Sequence, residues 1–173
     1  MPNINIVKKA RKDQGECHRC GAEIRAGDMY FWVQLKLQLG GIRKNFCASH
    51  QPRPSEMTTS DKKANLYGAQ EAAEDTIGSA STLAEIIEAL QECASTANDV
   101  AQEYRDSVDN MPEGLQQGSV AEDLLENADS LEDWAQELED VAGDIEGMDE
   151  EDAEDVLSDA QSAAEGALGD IPI

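Results

Sequence analysis

After Lys63 the chain contains one basic residue, Arg105, against 31 Asp and Glu. Residues 1–63 are the reverse, with 12 Lys and Arg against 6 acids, so a segment of net +6 precedes one of net −30. Carboxylates at that density repel one another and must stay hydrated, which forbids a single evenly mixed globule. Four of the seven aromatics, Tyr30, Phe31, Trp32 and Phe46, lie in the basic segment. The acidic segment therefore has to build its core from aliphatic residues and Ala, and a thin, elongated helical packing is expected of it. Two differently charged bodies are predicted: a module over residues 1–58 and an acidic helical region over 59–173.

Inside the basic segment, Cys17-x2-Cys20 and Cys47-x2-His50 form two knuckle-like pairs 26 residues apart. Thiolate and imidazole are zinc's preferred donors, and a Cys3His set fills a tetrahedron with no open position for substrate, so one structural Zn2+ is expected on Cys17, Cys20, Cys47 and His50. Gly21 follows Cys20 where the chain must fold under the metal. His18, between the two cysteines, is expected at the surface or behind the ligands. A module of this size buries little, and structural zinc can supply on the order of 10 kcal/mol of apparent folding free energy.

Between the pairs, Met29, Phe31, Val33, Leu35, Leu37 and Leu39 alternate with Tyr30, Trp32, Gln34, Lys36 and Gln38, the period of a half-buried strand. Gly40 and Gly41 are expected to turn the chain, and residues 42–46 to return as a second strand that delivers Cys47 to the metal. The result is a zinc-ribbon-like β-hairpin. One face of that hairpin would carry Tyr30, Trp32 and Lys36 with Arg43 and Lys44, and Lys8, Lys9, Arg11 and Lys12 lie just upstream. Cations interleaved with aromatics suit nucleic acid, where charges meet phosphates and rings stack on bases. The same residues could instead pack on, and pair with, the chain's own acidic helices.

The order Cys17-x2-Cys20, then Gly27, Asp28 and Tyr30 opening an aromatic hairpin, then a closing x2 pair, resembles the poly(ADP-ribose) polymerase type zinc finger. Together with the stretch from Asn3 to Asp13 and the Pro52-Arg53-Pro54-Ser55-Glu56 run, it looks like the small phage and prophage proteins that carry such a finger, mostly of unassigned function. The resemblance covers residues 1 to about 63, and the stretch from Glu103 to Gln116 is also similar to phage reading frames. Polymerase fingers close with His before Cys, whereas here Cys47 precedes His50. Zinc ligation is what the resemblance implies; recognition of broken DNA strands is not carried over.

The acidic region is patterned for helices. Leu66, Ala69, Ala73 and Ile77 form a stripe over 61–77, interrupted by Gly78-Ser79. Thr82-x-x-Glu85 is a capping box, and Leu83, Ile87, Leu90, Ala94, Ala97, Ala101, Tyr104, Val108 and Met111 follow a 4-3 spacing before Pro112 and Gly114. A second box, Ser119-x-x-Glu122, opens a seam of Leu124, Ala128, Leu131, Ala135, Leu138, Ala142 and Ile145. Asp149 is expected to cap a last helix through Ala153, Leu157, Ala160, Ala164 and Leu168. An antiparallel bundle of three or four helices follows. Cys93, one position off the seam, is expected to be a buried small apolar residue, and Trp134, off the strict seam, either to fill a gap towards a third helix or to serve as a binding anchor.

No Gly-rich phosphate loop or Ser-His-Asp set is present, and both His residues sit beside the ligand cysteines, so neither an enzyme nor a small-molecule substrate is expected. Asp149 to Asp155 matches no calcium-loop spacing. No apolar run is long enough for a bilayer, and the first residues lack a secretory layout, so a cytoplasmic protein is expected, in the host cell if the chain is phage-encoded. The function that fits best is a non-enzymatic binding protein whose acidic helices engage a basic, DNA-binding host protein. The alternative is a DNA-binding regulator using the zinc module, with the helices for oligomerisation. A purely structural oligomeric accessory protein is a third possibility.

Overall fold

A computed structural model describes residues 2–37, 40–148, 153–169 and 171–173. The fold is α+β, and the chain divides into two compact units, residues 1–64 and 65–173. Among the described residues no helix is long and apolar enough to cross a membrane.

The first unit is built on β1 (Asn5–Val7), β2 (Gly15–Glu16), β3 (Glu23–Ile24), β4 (Tyr30–Leu37) and β5 (Gly40–Cys47). β1, β4 and β5 form an antiparallel sheet in the order β1-β4-β5, and β2 pairs with β3 in a second sheet. The alternation in β4 puts Phe31, Val33 and Leu35 on one face, where they are buried with Phe46 from β5. Met57, from a 3-10 turn at Pro54–Met57, joins the same cluster.

The hairpin differs from the sequence expectation in one respect. Gly40 and Gly41 belong to β5, opposite Leu37 and Lys36; residues 38 and 39 lie outside the described residues. Gly40 has φ +135°, a region open to glycine, and a Cβ on Gly41 would run into the Gln34 amide and, at 2.8 Å, the Leu35 carbonyl oxygen. The two glycines serve strand packing rather than the turn.

The second unit holds most of α1 (Asp61–Ile77) together with α2 (Leu83–Asp109), α3 (Ser119–Glu146) and α4 (Ala153–Leu168). α2 starts as its sequence dictates: the Thr82 hydroxyl accepts from the Glu85 N–H, and the Glu85 carboxylate accepts from the Thr82 N–H. α3 does not. Its cap is Gly118, with no side-chain hydrogen bond, and Ser119 is already the first helical residue. The expected cap Asp149 lies outside the described residues.

The predicted seam of α3 is buried from Ala128 to Ile145. That of α2 is buried at Leu90, Ala94, Ala97, Ala101, Tyr104 and Val108, but a second stripe of Ile86, Ala89, Cys93 and Val100 is buried beside it. A 4-3 repeat serves one partner helix, whereas α2 has neighbours on more than one side: Ala89 and Cys93 line a groove with Ala69 and Ala73 of α1. Ile86 is consequently fully buried and Ile87 only half-buried. The ends of α1 and α4 are tied by side-chain amides, Gln70 donating to the Leu168 carbonyl and Gln161 to the Ile77 carbonyl, each at 3.0 Å.

Candidate metal centre

Cys17 follows β2 directly, and a tight turn returns the Gly21 N–H to the Cys17 carbonyl at 2.9 Å, with Gly21 at φ +70°. The second pair hangs from the end of β5, where the His50 N–H donates to the Cys47 carbonyl at 3.0 Å. The two pairs are locked together through β5. The His18 N–H donates to the Asn45 carbonyl at 2.7 Å, and the Asn45 amide donates to the Gln14 carbonyl at 2.8 Å.

Cys17, Cys20, Cys47 and His50 therefore converge, with all four donor atoms within 4.8 Å of one another. Cys17 Sγ lies 3.7 Å from His50 Nδ1, Cys47 Sγ 3.3 Å from the same nitrogen, and Cys20 Sγ 3.9 Å from Cys47 Sγ. The four can hold one metal ion. Cys17 is buried, Cys47 partly so, and Cys20 exposed. His18 is outside the cluster; its ring meets Phe46 edge-on at 5.7 Å.

The two inner thiols are tuned in opposite directions. Burial by itself pushes the Cys17 thiol up, but hydrogen bonds from the backbone at Cys47, Cys20 and Arg19, with His50, bring it down to about 6. Burial raises the Cys47 thiol above its ordinary value, helped by the neighbouring Cys17 and Cys20 sulfurs and only partly offset by the Ser49 backbone. A thiolate is thus ready at Cys17 near neutrality, as a soft cation requires.

The eight predicted cationic and aromatic contact residues are not brought onto one face. Arg43 pairs with Gln34, so it shares a face with Trp32, while Lys44 pairs with Val33 on the opposite face. Adjacent residues of a strand alternate, which the sequence grouping of Arg43 with Lys44 overlooked. Lys44 Nζ donates to the Glu56 carbonyl at 3.0 Å. Arg43 is clamped: its guanidinium lies 4.3 Å from the Trp32 ring centroid and donates to the Tyr30 hydroxyl at 2.9 Å and to Asn45 Oδ1 at 3.0 Å. Lys36 is exposed opposite Gly41, and Lys8, Lys9, Arg11 and Lys12 are exposed on the loop between β1 and β2.

Sequence reasoning missed the supporting residues Gln14 and Asn45, and the Arg19–Glu56 ion pair that fastens the first knuckle to the 3-10 turn. Burial would raise the Glu56 carboxyl, but Arg19 and the Arg53 N–H hold it below its ordinary value. The charge swap between distant Arg19 and Glu56 carried no local sequence signal. No family model matches the chain, and neither a curated protein nor a solved structure matches it.

Proposed function

We propose that the centre holds one structural zinc ion and that the chain is a non-enzymatic binding protein, phage-type in its resemblance, whose acidic helical unit occupies a basic surface of the kind DNA-binding proteins present. For zinc, metal–sulfur bonds of about 2.3 Å imply tetrahedral edges of about 3.8 Å between sulfurs, near the 3.9 Å of Cys20 and Cys47. Three thiols and one imidazole leave no open position, which favours a structural over a catalytic ion.

The observation that carries the binding proposal is the neutralisation of Arg105. It is the one cation of residues 65–173, and Asp129 and Glu132 hold it, so no free positive centre competes with the segment's net −30. α2 and α3 together carry 18 acids and Arg105, a net of −17 along about 42 Å, roughly one charge per 2.5 Å against about 1.7 Å in duplex DNA. A basic cleft responds to such a field as it does to phosphates.

The test is competition. A sequence-nonspecific basic DNA-binding protein is loaded on labelled duplex and titrated with the full-length chain at about 50 and about 200 mM salt. Displacement at the lower salt that weakens at the higher is expected. A chain that displaces nothing at low salt, while remaining folded by circular dichroism, would rule the mimicry out.

A further inference from the structure

Beside the Arg43 clamp, Lys9, Arg11, Lys12, Gln14 and Tyr30 line an open cleft of about 450 Å³. We infer that this cleft is a binding site for the phosphodiester backbone of nucleic acid, sequence-independent and separate from anything the acidic helices engage. Its floor is fixed. The Tyr30 hydroxyl donates to Gln14 Oε1 at 3.2 Å and accepts from Arg43, whose guanidinium is held between that hydroxyl and the Trp32 ring. A cationic edge is thereby set in place before any ligand arrives, and ordering costs on binding are low.

The cations of the cleft are left over by their own unit. Among the described residues Lys9, Arg11 and Lys12 make no ion pair, and no carboxylate lines the cleft. Of the nearby acids, Glu23 is paired with the Arg25 guanidinium and Glu56 with Arg19, while Asp13 and Asp28 accept from the Ala26 and Arg25 N–H groups and keep their charge. Three cations that line one cleft without an ion pair of their own suit an anionic ligand.

The rings beside the cleft do not read bases. Tyr30 is 5% exposed, and Arg43 covers a face of Trp32. Contact is therefore through phosphate oxygens, which position nucleic acid without selecting its sequence.

The experiment uses the full-length, zinc-loaded protein and fluorescein-labelled oligonucleotides of mixed sequence, single- and double-stranded, read by anisotropy. With three phosphates neutralised, raising salt from about 50 to about 200 mM should weaken duplex binding roughly 40-fold and single-strand binding roughly 20-fold. Lys9→Glu with Arg11→Glu should weaken both at least about tenfold, whereas Arg25→Glu, on the β3 side and paired with Glu23, should change them less than about twofold. Zinc content and tryptophan emission certify that the variants are folded. Absence of binding at low salt, indifference to the double reversal, or equal affinity for polyglutamate would each overturn the assignment. So would inorganic phosphate shifting the Lys9 and Arg11 amide resonances as strongly, per phosphate, as the oligonucleotide does.

Discussion

The indole N–H of Trp134 donates to the backbone carbonyl of Ala167 at 3.0 Å, inside the helical unit and away from solvent. α3 is thereby fastened to the last turn of α4 by a side chain that also fills space, since Trp134 is only 6% exposed. The four last carbonyls of a helix have no partner within it, and an acidic unit has almost no cation to offer them. The indole supplies one donor where no Lys or Arg stands.

Replacing that tryptophan separates its two roles. Trp134→Phe keeps a ring but leaves the Ala167 carbonyl unpaired, and should cost about 1–2 kcal/mol in urea unfolding followed by far-ultraviolet circular dichroism. Trp134→Ala also opens a cavity and should cost about 3–5 kcal/mol. Equal stability of the Phe variant and the parent would show that the hydrogen bond contributes nothing.

Metal removal should act on one unit alone. The two tryptophans, Trp32 and Trp134, report separately on the sheet unit and the helices. A chelator, or Cys47→Ser without one, should redshift the Trp32 emission as the sheet opens, while helical ellipticity and the Trp134 signal in a Trp32→Phe background persist. A sheet unit that keeps its amide dispersion without metal would refute the structural role assigned to the ion.

Cys93 makes the helical unit alkali-sensitive. It is 1% exposed, and burial, with Glu74 nearby, pushes its thiol up to about 12 from an ordinary 9.0. A group raised in the folded state contributes fully below the unfolded value and loses that contribution as pH rises through the folded one, so stability should decline between pH 9 and 12. Urea midpoints for the parent should fall across this window more than those of Cys93→Ala, although the variant starts lower. Parallel declines would assign the alkaline loss to other groups.

Salt should stabilise the helices. Screening weakens repulsion among the exposed carboxylates, so the melting temperature of the helical unit should rise as NaCl is added. Arg105→Ala removes the bridge to Asp129 and Glu132 and should cost about 1 kcal/mol at low ionic strength and less at high. A melting temperature that falls with salt would mean that ion pairs outweigh repulsion.

Much of this architecture was legible because it is periodic. Alternation located β4, and the 4-3 spacing located α2 and α3, since a buried face leaves a repeating trace in the residues that form it. The capping box at Thr82 was readable because both partners are local, yet the matching pattern at Ser119 was misleading: Gly118 takes the cap position and shifts the helix start by one residue. Strands β1 to β3 are two or three residues long, too short to show a period. The second stripe of α2 was illegible because it depends on where α1 lies.

The cluster of Cys17, Cys20, Cys47 and His50 was legible from spacing alone, but its surroundings were not. Asn45 and Gln14 join the knuckle to the sheet through contacts 31 residues apart, and nothing local in the sequence announces them. The basic residues were read as a group by composition, whereas the pleat divides Arg43 from Lys44 and the clamp on Arg43 depends on the register of two strands.

The uneven exposure of the ligand sulfurs has a kinetic consequence. With Cys17 buried and Cys20 at the rim, an approaching thiol-rich chelator or metal donor meets Cys20 first. Were an ion held here, its exchange would start by ligand substitution at that one sulfur, without prior opening of the sheet. How quickly such an ion would be gained or surrendered would be set by the rim, and how tightly it would be held by all four residues, so residence time and affinity would be free to vary separately.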